Sequence, residues 1–341
     1  MKKDASVVLL TPGWGGNEIM AVEFTKVLLQ EGINVRIYAA QFQLDKMRSL
    51  EWVPSTGNLT FDDLMRWRIN GADRRTIYVL PSFLSVVKKP SILFSALACR
   101  AWLYFPFWGH EWNRGNKRKF KFIFSNILLK VFKPYVIGIK HGFFRGRPVD
   151  NKRSAIFPNF SSKTWKVRIE NDKGFNLYCV GRIDFFHKQQ NLLFRLMEGF
   201  GEARQGFIRK LIFIGDGPDL GRLKEIADQK EWVEILPWVN DAFFYVDGPA
   251  IAIIPSRFEG LPLVALEAMS SGVPVVATAG AGIDDLLPSE CIFTEDEKSF
   301  KRALSWIAVN YEHASKHGIE AVSANYSYNA FYKSVAQWGS T

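Results

Sequence analysis

The sequence predicts an α/β fold with two Rossmann-like domains that face each other across a cleft. Short apolar runs alternate with amphipathic stretches, which is typical of repeated strand–helix units in a parallel sheet. The alternation occurs on both sides of a polar, charged stretch at 160–174, which we interpret as a linker. The length of 341 residues exceeds one average domain, and 48% hydrophobic with 23% charged residues argues against a disordered or collagen-like chain.

The apolar runs predict five strands in each half of the chain. Those of the first half are Val7–Leu10, Val35–Ala39, Ile77–Leu80, Leu103–Phe107 and Val136–Ile139. Those of the second half are Leu177–Val180, Leu211–Ile214, Val233–Leu236, Ala250–Pro255 and Val273–Ala277. We expect a boundary near residue 165, with domains over 1–165 and 166–325. After Glu297 the chain is predicted to be helical, and an amphipathic helix from Tyr326 to Trp338 would return to the first domain, so 326–341 is assigned there.

Several classes of protein are disfavoured by local patterns. The apolar run that follows the basic start ends at Thr11, too early for the apolar region of a signal peptide. The stretch Ile92–Trp108 contains Arg100 and Pro106, so a buried helix followed by a strand explains it better than a membrane span. No internal repeat is visible, which argues against a solenoid or propeller. The cysteines lie far apart in apolar contexts and are interpreted as reduced core residues of a cytoplasmic protein: Cys99, Cys179 and Cys291.

The most informative segment runs from Ser256 to Met269, directly after a predicted buried strand. Pro262 is placed where a first-turn proline fits, and Gly260 lets backbone N–H groups approach a ligand closely. The helix N-terminus adds unpaired donors and a partial positive charge, so the turn can hold an anion or a ring of hydroxyls. Glu259 and Glu267 flank this turn. Either alone is commonly a solvated or capping carboxylate, but two at a strand-to-helix switch favour a ligand site.

Two cations follow the strand predicted at 177–180. Arg182, directly after Gly181, and Lys188 in the next turn suit a diphosphate, because phosphate oxygens need both charge and hydrogen-bond donors. Either residue alone is more simply explained by a surface salt bridge. Their joint placement opposite the Glu259 segment favours a binding site for a diphosphate over two surface salt bridges.

Two further glycine-rich turns follow predicted strands. Gly215-Asp216-Gly217-Pro218, extending to Gly221, is similar to a dinucleotide fingerprint, but the spacing is wrong and Pro218 lacks an amide. We interpret it as a tight turn that could also contact a base or ribose. Gly15-Gly16-Asn17-Glu18 follows the first strand and opens a helix, which is weak evidence alone because such turns favour glycine.

Together these residues resemble the retaining glycosyltransferases of family 4, which have the GT-B fold, and among them bacterial lipopolysaccharide and polysaccharide glycosyltransferases. The resemblance is strongest from Gly174 to Leu287, where Glu259 and Glu267 form the family's highly specific E-x7-E signature. The stretches that carry it are Gly15–Glu18, Gly181-Arg182 with Lys188, Ile214–Pro218, Pro255-Ser256 with Glu259–Pro262, Leu266–Met269, and Gly272–Ala277.

The resemblance implies a role for each site residue. Arg182 and Lys188 would neutralise the departing nucleotide diphosphate, Glu267 would hold the ribose hydroxyls, and Glu259 would face the donor sugar. The implied donor-binding set is Gly15, Gly16, Gly215, Gly217, Ser256, Gly260, Leu261, Pro262, Leu263 and Glu267. The implied acceptor-side set is His110, Glu111, Asn17 and Glu18, with His141 a rival to His110. The family's asparagine–glycine turn before the linker is here Pro158-Asn159-Phe160, without the glycine.

These matches predict an enzyme that moves a sugar from a nucleotide-sugar donor to a glycan or lipid-linked acceptor with retention at the anomeric carbon. Its expected place is cell-envelope polysaccharide or lipopolysaccharide synthesis in the cytoplasm, at the inner face of the membrane. A sugar-nucleotide epimerase or hydrolase of the same fold and a non-catalytic sugar-nucleotide-binding subunit are the alternatives. No cofactor or metal is expected, because the nucleotide sugar is a substrate and no carboxylate cluster lies beside the expected diphosphate.

The net charge of +10 is concentrated in one segment. Arg114–Arg153 holds twelve Lys and Arg residues against the single acid Asp150. The net charge of this segment, twelve positive charges less one, therefore exceeds the net charge of the whole chain. Its apolar stretch with cations at the ends suits an anionic bilayer surface, and basic charge with aromatics also suits single-stranded nucleic acid. The remaining alternative is a core helix over 122–132 with solvated ends. Nucleic acid is disfavoured, because it leaves Glu259, Glu267 and the two cations near them unexplained.

Overall fold

A computed structural model of the chain describes residues 4–50, 58–64, 74–109, 115–161, 174–200, 207–239, 242–246 and 248–340. The chain divides into two compact units. The N-terminal unit comprises Met1–Asn159 and Tyr328–Thr341, and the C-terminal unit comprises Phe160–Ser327. The residue near which the sequence places the boundary, 165, lies outside the described residues.

The N-terminal unit is built on a seven-stranded parallel sheet with the order β3-β2-β1-β4-β5-β6-β7. Its strands are β1 (Asp4–Leu9), β2 (Asn34–Ala39), β3 (Leu59–Asp63), β4 (Thr76–Val79), β5 (Trp102–Tyr104), β6 (Tyr135–Gly138) and β7 (Ser154–Ile156). Each predicted strand of this half overlaps an observed one. The sequence misses β3 and β7, which form the two edges and are only half-buried, so neither carries the continuous apolar run of a strand covered on both faces.

The C-terminal unit is built on a six-stranded parallel sheet with the order β10-β9-β8-β11-β12-β13. Its strands are β8 (Phe175–Val180), β9 (Ile208–Ile214), β10 (Val233–Leu236), β11 (Ala250–Ile254), β12 (Val275–Thr278) and β13 (Ile292–Phe293). Each predicted strand of this half again overlaps an observed one. The sequence does not predict β13, which has only two residues. The strand order reverses between β8 and β11, which is where doubly wound sheets bind ligands beyond the carboxyl ends of their strands.

Helices connect the strands of both units. In chain order they are α1 (Gly16–Gln30), α2 (Gln41–Arg48), α3 (Ser85–Lys88), α4 (Pro90–Cys99), α5 (Gly115–Phe132), α6 (Gln190–Glu198), α7 (Leu220–Ala227), α8 (Leu263–Ser270), α9 (Glu297–Val309), α10 (Tyr311–Asn325) and α11 (Tyr328–Ser340). The segment Ile92–Trp108 contains most of α4 followed by β5, and Arg100 ends α4 in the left-handed region at φ 57°. Among the described residues, the helices lack the combination of length and hydropathy that crossing a bilayer requires.

The buried strand residues form the centre of each unit. Leu177, Phe213 and Ile251 lie in the core of the C-terminal unit, and Leu103 and Val136 lie in that of the N-terminal unit. All three cysteines are free. Cys179 and Cys291 are buried, whereas Cys99 is half-buried at the end of α4, so the interpretation of Cys99 as a core residue is wrong.

The last helix in the sequence, α11, is part of the N-terminal unit. Phe331 and Val335 are fully buried on one face of it. Trp338 continues that face, and its ring meets the rings of Trp102 and Phe157 edge-on, with centroids 6.0 and 5.9 Å apart. The spacing of these three apolar side chains is the amphipathic pattern from which the sequence predicts a returning helix.

Helix α5 is attached to the N-terminal unit by a cation. The guanidinium of Arg147 lies between the rings of Trp108 and Phe122, 4.3 and 4.2 Å from their centroids. It also donates hydrogen bonds to Ser125 Oγ and Asn126 Oδ1, at 2.9 and 2.8 Å. This residue of the basic segment therefore has a structural role, and it fixes which face of α5 points away from the unit.

Candidate functional site

The candidate site lies at the carboxyl edge of the sheet of the C-terminal unit. Gly181 and Arg182 follow β8, Gly215 follows β9, and Ser256 follows β11 after one proline. Because all these strands are parallel, their carboxyl ends meet at one edge. The fold therefore brings segments that are up to about 80 residues apart in sequence to the same side of the sheet.

Two glycines allow the loops after β8 and β9 to pack backbone against backbone. Gly215 has a φ of +151°, and a Cβ on it would overlap the carbonyl oxygen of Gly181. A Cβ on Gly217 would likewise overlap the carbonyl oxygen of Ile183. The backbone amide of Ile183 donates to the carbonyl oxygen of Asp216 at 2.9 Å. These glycines are therefore required by close approach, and they hold the loop that carries Arg182.

An ion pair joins the two loops on either side of the switch point. The ammonium of Lys188 donates a hydrogen bond to Glu259 Oε1, and Ser256 Oγ donates to the same oxygen at 3.1 Å. The side chains of Lys188 and Glu259 are 25% and 20% exposed. The pair is thus fixed by the fold yet remains accessible to a ligand from solvent. Arg182, the other predicted cation, is exposed at the same edge.

Asp184 shapes the turn that leads to Lys188, and sequence analysis does not single it out. Its Oδ1 accepts hydrogen bonds from the backbone amides of Phe186 and His187, both at 3.1 Å. Its Oδ2 lies 2.8 Å from His187 Nδ1. Burial raises the pKa of Asp184, but the hydrogen bonds and charge of His187 outweigh it, so the net pKa lies below its ordinary value. The signal in the sequence is an Asp whose side chain can bond amides two and three residues ahead.

Arg257 is a second residue that sequence analysis misses. Its backbone amide donates to the carbonyl oxygen of His187 at 2.8 Å, which ties the loop after β11 to the loop after β8. Its guanidinium lies 5.3 Å from the ring centroid of Phe186, and its Nε is buried without a hydrogen-bond partner. The ring of His187 meets those of Phe186 and Phe258 edge-on, at 4.9 and 5.3 Å. Arg257 therefore rigidifies the edge beside the ion pair.

The helix that follows this loop begins one residue later than the sequence indicates. Pro262 is the N-cap and α8 starts at Leu263, so the first-turn position predicted for Pro262 is wrong. Glu267 is the fifth residue of α8 and is half-buried. Leu261 and Pro262 are buried, while Gly260 and Leu263 are half-buried at the helix start.

The glycine-rich loop of the N-terminal unit opens α1. Gly15 is the N-cap in an extended conformation, Gly16 is the first helical residue, and Asn17 is half-buried. Glu18 is only 4% exposed. Burial raises its pKa, and hydrogen bonding to Thr11 and to the backbone of Gly15 offsets that rise in part. The carboxyl group thus lies inside the unit.

Two acceptor-side residues, His110 and Glu111, lie outside the described residues. The rival histidine, His141, is exposed in the turn after β6. Asn159 is buried, and its backbone N–H donates to the carbonyl oxygen of Ile139 at 2.8 Å. In the part of the chain that the structure describes, no group of three or more His, Cys, Asp or Glu residues could hold a metal ion.

Comparison with known proteins shows similarity to glycosyltransferases. Residues 174–310 match the model of the family "Glycosyl transferases group 1". Sulfoquinovosyl transferase SQD2 of Arabidopsis thaliana is 36% identical over 138 residues, which are 39% of this chain and 25% of that protein. An uncharacterized glycosyltransferase of Haemophilus influenzae is 41% identical over 70 residues, 20% of each chain. This chain therefore spans about a quarter or less of the length of these curated relatives.

Solved structures resemble the whole chain. The lipopolysaccharide outer core galactosyltransferase WaaB in its apo form has a TM-score of 0.67 at 16% identity, covering 99% of this chain and 100% of that one. Anabaena Alr3699/HepE in complex with UDP has a TM-score of 0.71 at 13% identity, covering 99% of each chain. At this identity the likeness establishes the fold, which is that of the GT-B glycosyltransferases, as the sequence predicts. The match to the glycosyl transferases group 1 model covers residues 174–310, which lie within the C-terminal unit.

Proposed function

We propose that the protein is a glycosyltransferase that moves a sugar from a nucleotide-sugar donor to a glycan or lipid-linked acceptor, with retention of the anomeric configuration. The observation that carries the proposal is the ion pair between Lys188 and Glu259 at the switch point of a group 1 domain. A neighbour of the same fold holds UDP, which supports the donor class. The proposed place of action is the cytoplasmic face of the membrane, in synthesis of a cell-envelope polysaccharide or lipopolysaccharide.

The chemistry needs cations where Lys188 and Arg182 lie. A sugar nucleotide breaks heterolytically, so positive charge develops on the sugar ring and negative charge on the departing diphosphate. Fixed cations that interact more strongly as this charge develops lower the barrier. In the structure Glu259 balances the charge of Lys188. In the proposal the diphosphate of the donor replaces Glu259 as the ion-pair partner of Lys188. The carboxylate of Glu259 then faces the donor sugar.

Other groups at the same edge would hold the donor. Glu267 on α8 would accept hydrogen bonds from the ribose hydroxyls, and amides from Gly260 to Leu263 would donate to sugar or phosphate oxygens, since the start of a helix presents unpaired N–H groups. The turn Gly215–Gly217 would contact the base or ribose. In the N-terminal unit, Gly15 and Gly16 would present backbone amides to the donor. Because lysine and arginine supply the positive charge, we expect binding and transfer to be insensitive to EDTA.

Calorimetric titration of the purified chain with UDP-, GDP-, ADP- and dTDP-sugars tests the donor site. We expect one nucleotide class to bind and Lys188→Ala to weaken that binding. The matched control is Lys210→Ala, because Lys210 also pairs with a glutamate, Glu234 at 2.8 Å, but on the strands β9 and β10 and not in the loops of the site. Wild-type affinity in Lys188→Ala would overturn the assignment.

Product analysis separates the proposed transfer from its alternatives. Without an acceptor, NMR spectra of the donor incubated with the protein should show neither free sugar nor an epimer of the donor. Neither should form at a rate comparable with the rate of sugar transfer. Rapid release of sugar would identify a hydrolase, and a new sugar nucleotide would identify an epimerase. With an acceptor, the coupling constant of the anomeric proton in the product reports retention directly. Tight donor binding without transfer to any glycan or lipid-linked acceptor would favour a non-catalytic binding subunit.

A further inference from the structure

One face of α5 carries a row of large apolar side chains that point to solvent. The exposed fractions are 69% for Phe120, 56% for Ile123, 51% for Ile127 and 64% for Val131. These positions are separated by three, four and four residues, so they form one continuous stripe along the helix. On the other side of α5, Ser125 and Leu129 are buried against the unit. Helix α5 is therefore a surface helix that has apolar residues on the face that packs on the unit and also on the face that points to solvent.

A further exposed ring lies beside α5. Phe94 on α4 is 60% exposed, and its ring meets that of Phe132 edge-on with centroids 6.5 Å apart. The ring of Phe124 stacks on that of Phe120 at 6.3 Å with an interplanar angle of 8°. We name the set Phe120, Ile123, Ile127 and Val131 the apolar ridge. A contiguous exposed apolar surface of this kind marks an interaction site more often than isolated exposed residues do.

Cations flank the apolar ridge on both sides. At about 100° per residue, Lys119 and Lys130 lie on one flank of α5, and Lys117 and Lys121 lie on the other. Lys117, Lys119 and Lys130 are exposed, and Lys121 is half-buried. The sequence contains no acidic residue between Glu111 and Asp150. The surface around the ridge is therefore positive without local compensation by carboxylates of this segment.

We propose that the apolar ridge lies flat on an anionic lipid bilayer. Its side chains would enter the boundary between headgroups and acyl chains, and the flanking lysines would contact lipid phosphates. Two features favour lipid over nucleic acid: Ile123, Ile127 and Val131 offer no aromatic face for a base to stack on, and cations on both sides of a convex ridge match a plane of phosphates. This inference rests on the membrane location in the proposed function, and vesicle binding tests it without sugar transfer, so its failure is distinguishable from failure of the transferase assignment.

The structure assigns different roles to cations of the same segment. Arg147 is engaged between Trp108 and Phe122 and would not reach lipid while it holds α5 in place. The lysines of α5 instead project beside the exposed stripe. Each lysine near an anionic surface is expected to strengthen membrane partitioning by roughly fivefold at moderate salt. The proposal therefore predicts that the lysines, and not the total charge of the segment, set the lipid dependence.

Co-sedimentation with vesicles tests the proposal on the full chain. The vesicles are phosphatidylcholine alone and phosphatidylcholine mixed with phosphatidylglycerol. We expect binding to the mixed vesicles only, falling as NaCl is raised from about 0.1 M to 1 M because salt screens the lysines. The double variant Lys119→Gln/Lys130→Gln should bind about 25-fold more weakly. The double variant Ile123→Ser/Ile127→Ser should lose at least about tenfold, because less apolar surface is buried.

The matched control carries the same kinds of change elsewhere. Val309→Ser/Lys316→Gln removes an exposed valine, 84% accessible, and an exposed lysine from the C-terminal unit, and it should bind vesicles like the wild type. All the altered side chains are exposed, so unchanged thermal melting will show that each variant is folded. Equal binding to neutral and mixed vesicles, or wild-type binding by both α5 variants, would overturn the proposal. So would a lipid-free dimer that Ile123→Ser/Ile127→Ser dissociates, since the ridge would then be a protein interface.

Discussion

Lys188 and Glu259 are separated by 71 positions in the sequence and form an ion pair across the switch point of the sheet. The loop of Lys188 is held by Asp184, and the loop of Glu259 is tied to it through the amide of Arg257. Contacts within the fold thus hold both partners in position. Such preorganised charge is effective in catalysis because little reorganisation is needed when the reaction occurs.

The first prediction concerns this ion pair. Lys188→Ala should lower the rate of sugar transfer by about a hundredfold or more, because losing one preorganised contact to developing charge costs roughly 2.7 to 4 kcal/mol of barrier. Arg182→Ala should have an effect of the same order. Single-turnover rates with saturating donor give the measurement, with Lys210→Ala as the control for loss of a surface lysine–glutamate pair. A rate near that of the wild type in both site variants would contradict the proposed diphosphate clamp.

The second prediction concerns the glycines between the loops. Gly215→Ala should destabilise the C-terminal unit by about 1 to 3 kcal/mol or more, because its Cβ would meet the carbonyl oxygen of Gly181 and its φ is positive. Gly221→Ala is the matched control: it lies in α7 and its Cβ would meet nothing within 4 Å. That change should stabilise by about 0.4 to 1 kcal/mol. Urea unfolding of both variants measures the contrast, and equal effects would refute this account of the turn.

The third prediction concerns the attachment of α11. Trp338 is 7% exposed and packs between Trp102 and Phe157, so Trp338→Ala should cost about 3 to 5 kcal/mol. Trp238 in the C-terminal unit is 56% exposed, and Trp238→Ala should change the free energy of unfolding by less than about 0.5 kcal/mol. Denaturant titrations followed by circular dichroism give both values. Similar costs for the two tryptophans would show that α11 contributes little to the unit.

The fourth prediction concerns pH. Burial raises the pKa of Glu18, so the folded state holds its proton more tightly than the unfolded chain does. The resulting stabilisation is complete below the unfolded pKa of about 4.5 and is lost as pH rises through the folded pKa. Glutamine does not ionise, so the free energy of unfolding of Glu18→Gln should rise relative to that of the wild type as pH increases from about 4 to 7.

The control for Glu18 is Glu23→Gln on the same helix, where Glu23 pairs with Lys26 at 2.6 Å. Both variants are compared with the wild type by urea unfolding at each pH. A constant difference between Glu18→Gln and the wild type across this range would contradict the burial account.

Much of the architecture could be predicted from the sequence because central parallel strands are apolar without interruption. Ala250–Ile254 and Val275–Thr278 are buried at every position, and their runs are evident by inspection. The edge strand Leu59–Asp63 is only partly buried and alternates little, so nothing in its composition separates it from a loop. Strand prediction therefore succeeded where both faces of the sheet are covered and at the edge strand β10, whereas it missed the edge strands β3, β7 and β13.

The candidate site was predictable where its chemistry lies in one segment. Glu259, Pro262 and Glu267 all follow β11 within thirteen residues, and their spacing is visible in the sequence. The contributions of Asp184 and Arg257 depend on the contact between two loops, which no local pattern shows. The acceptor-side role of Glu18 is implied by the family resemblance and stays a prediction, while helical periodicity explains its burial, because Glu18 lies in line with the buried Val22 and Thr25.

The order of elements along the chain constrains how the protein can be made. Helix α11 completes the N-terminal unit, but it follows the entire C-terminal unit in sequence. On the ribosome, residues 160–327 are therefore all available before the first unit receives the helix that covers Trp102 and Phe157. During synthesis the apolar surface at Trp102 and Phe157 therefore stays uncovered until α11 has been made. By that time the C-terminal unit already has every segment that it needs to fold.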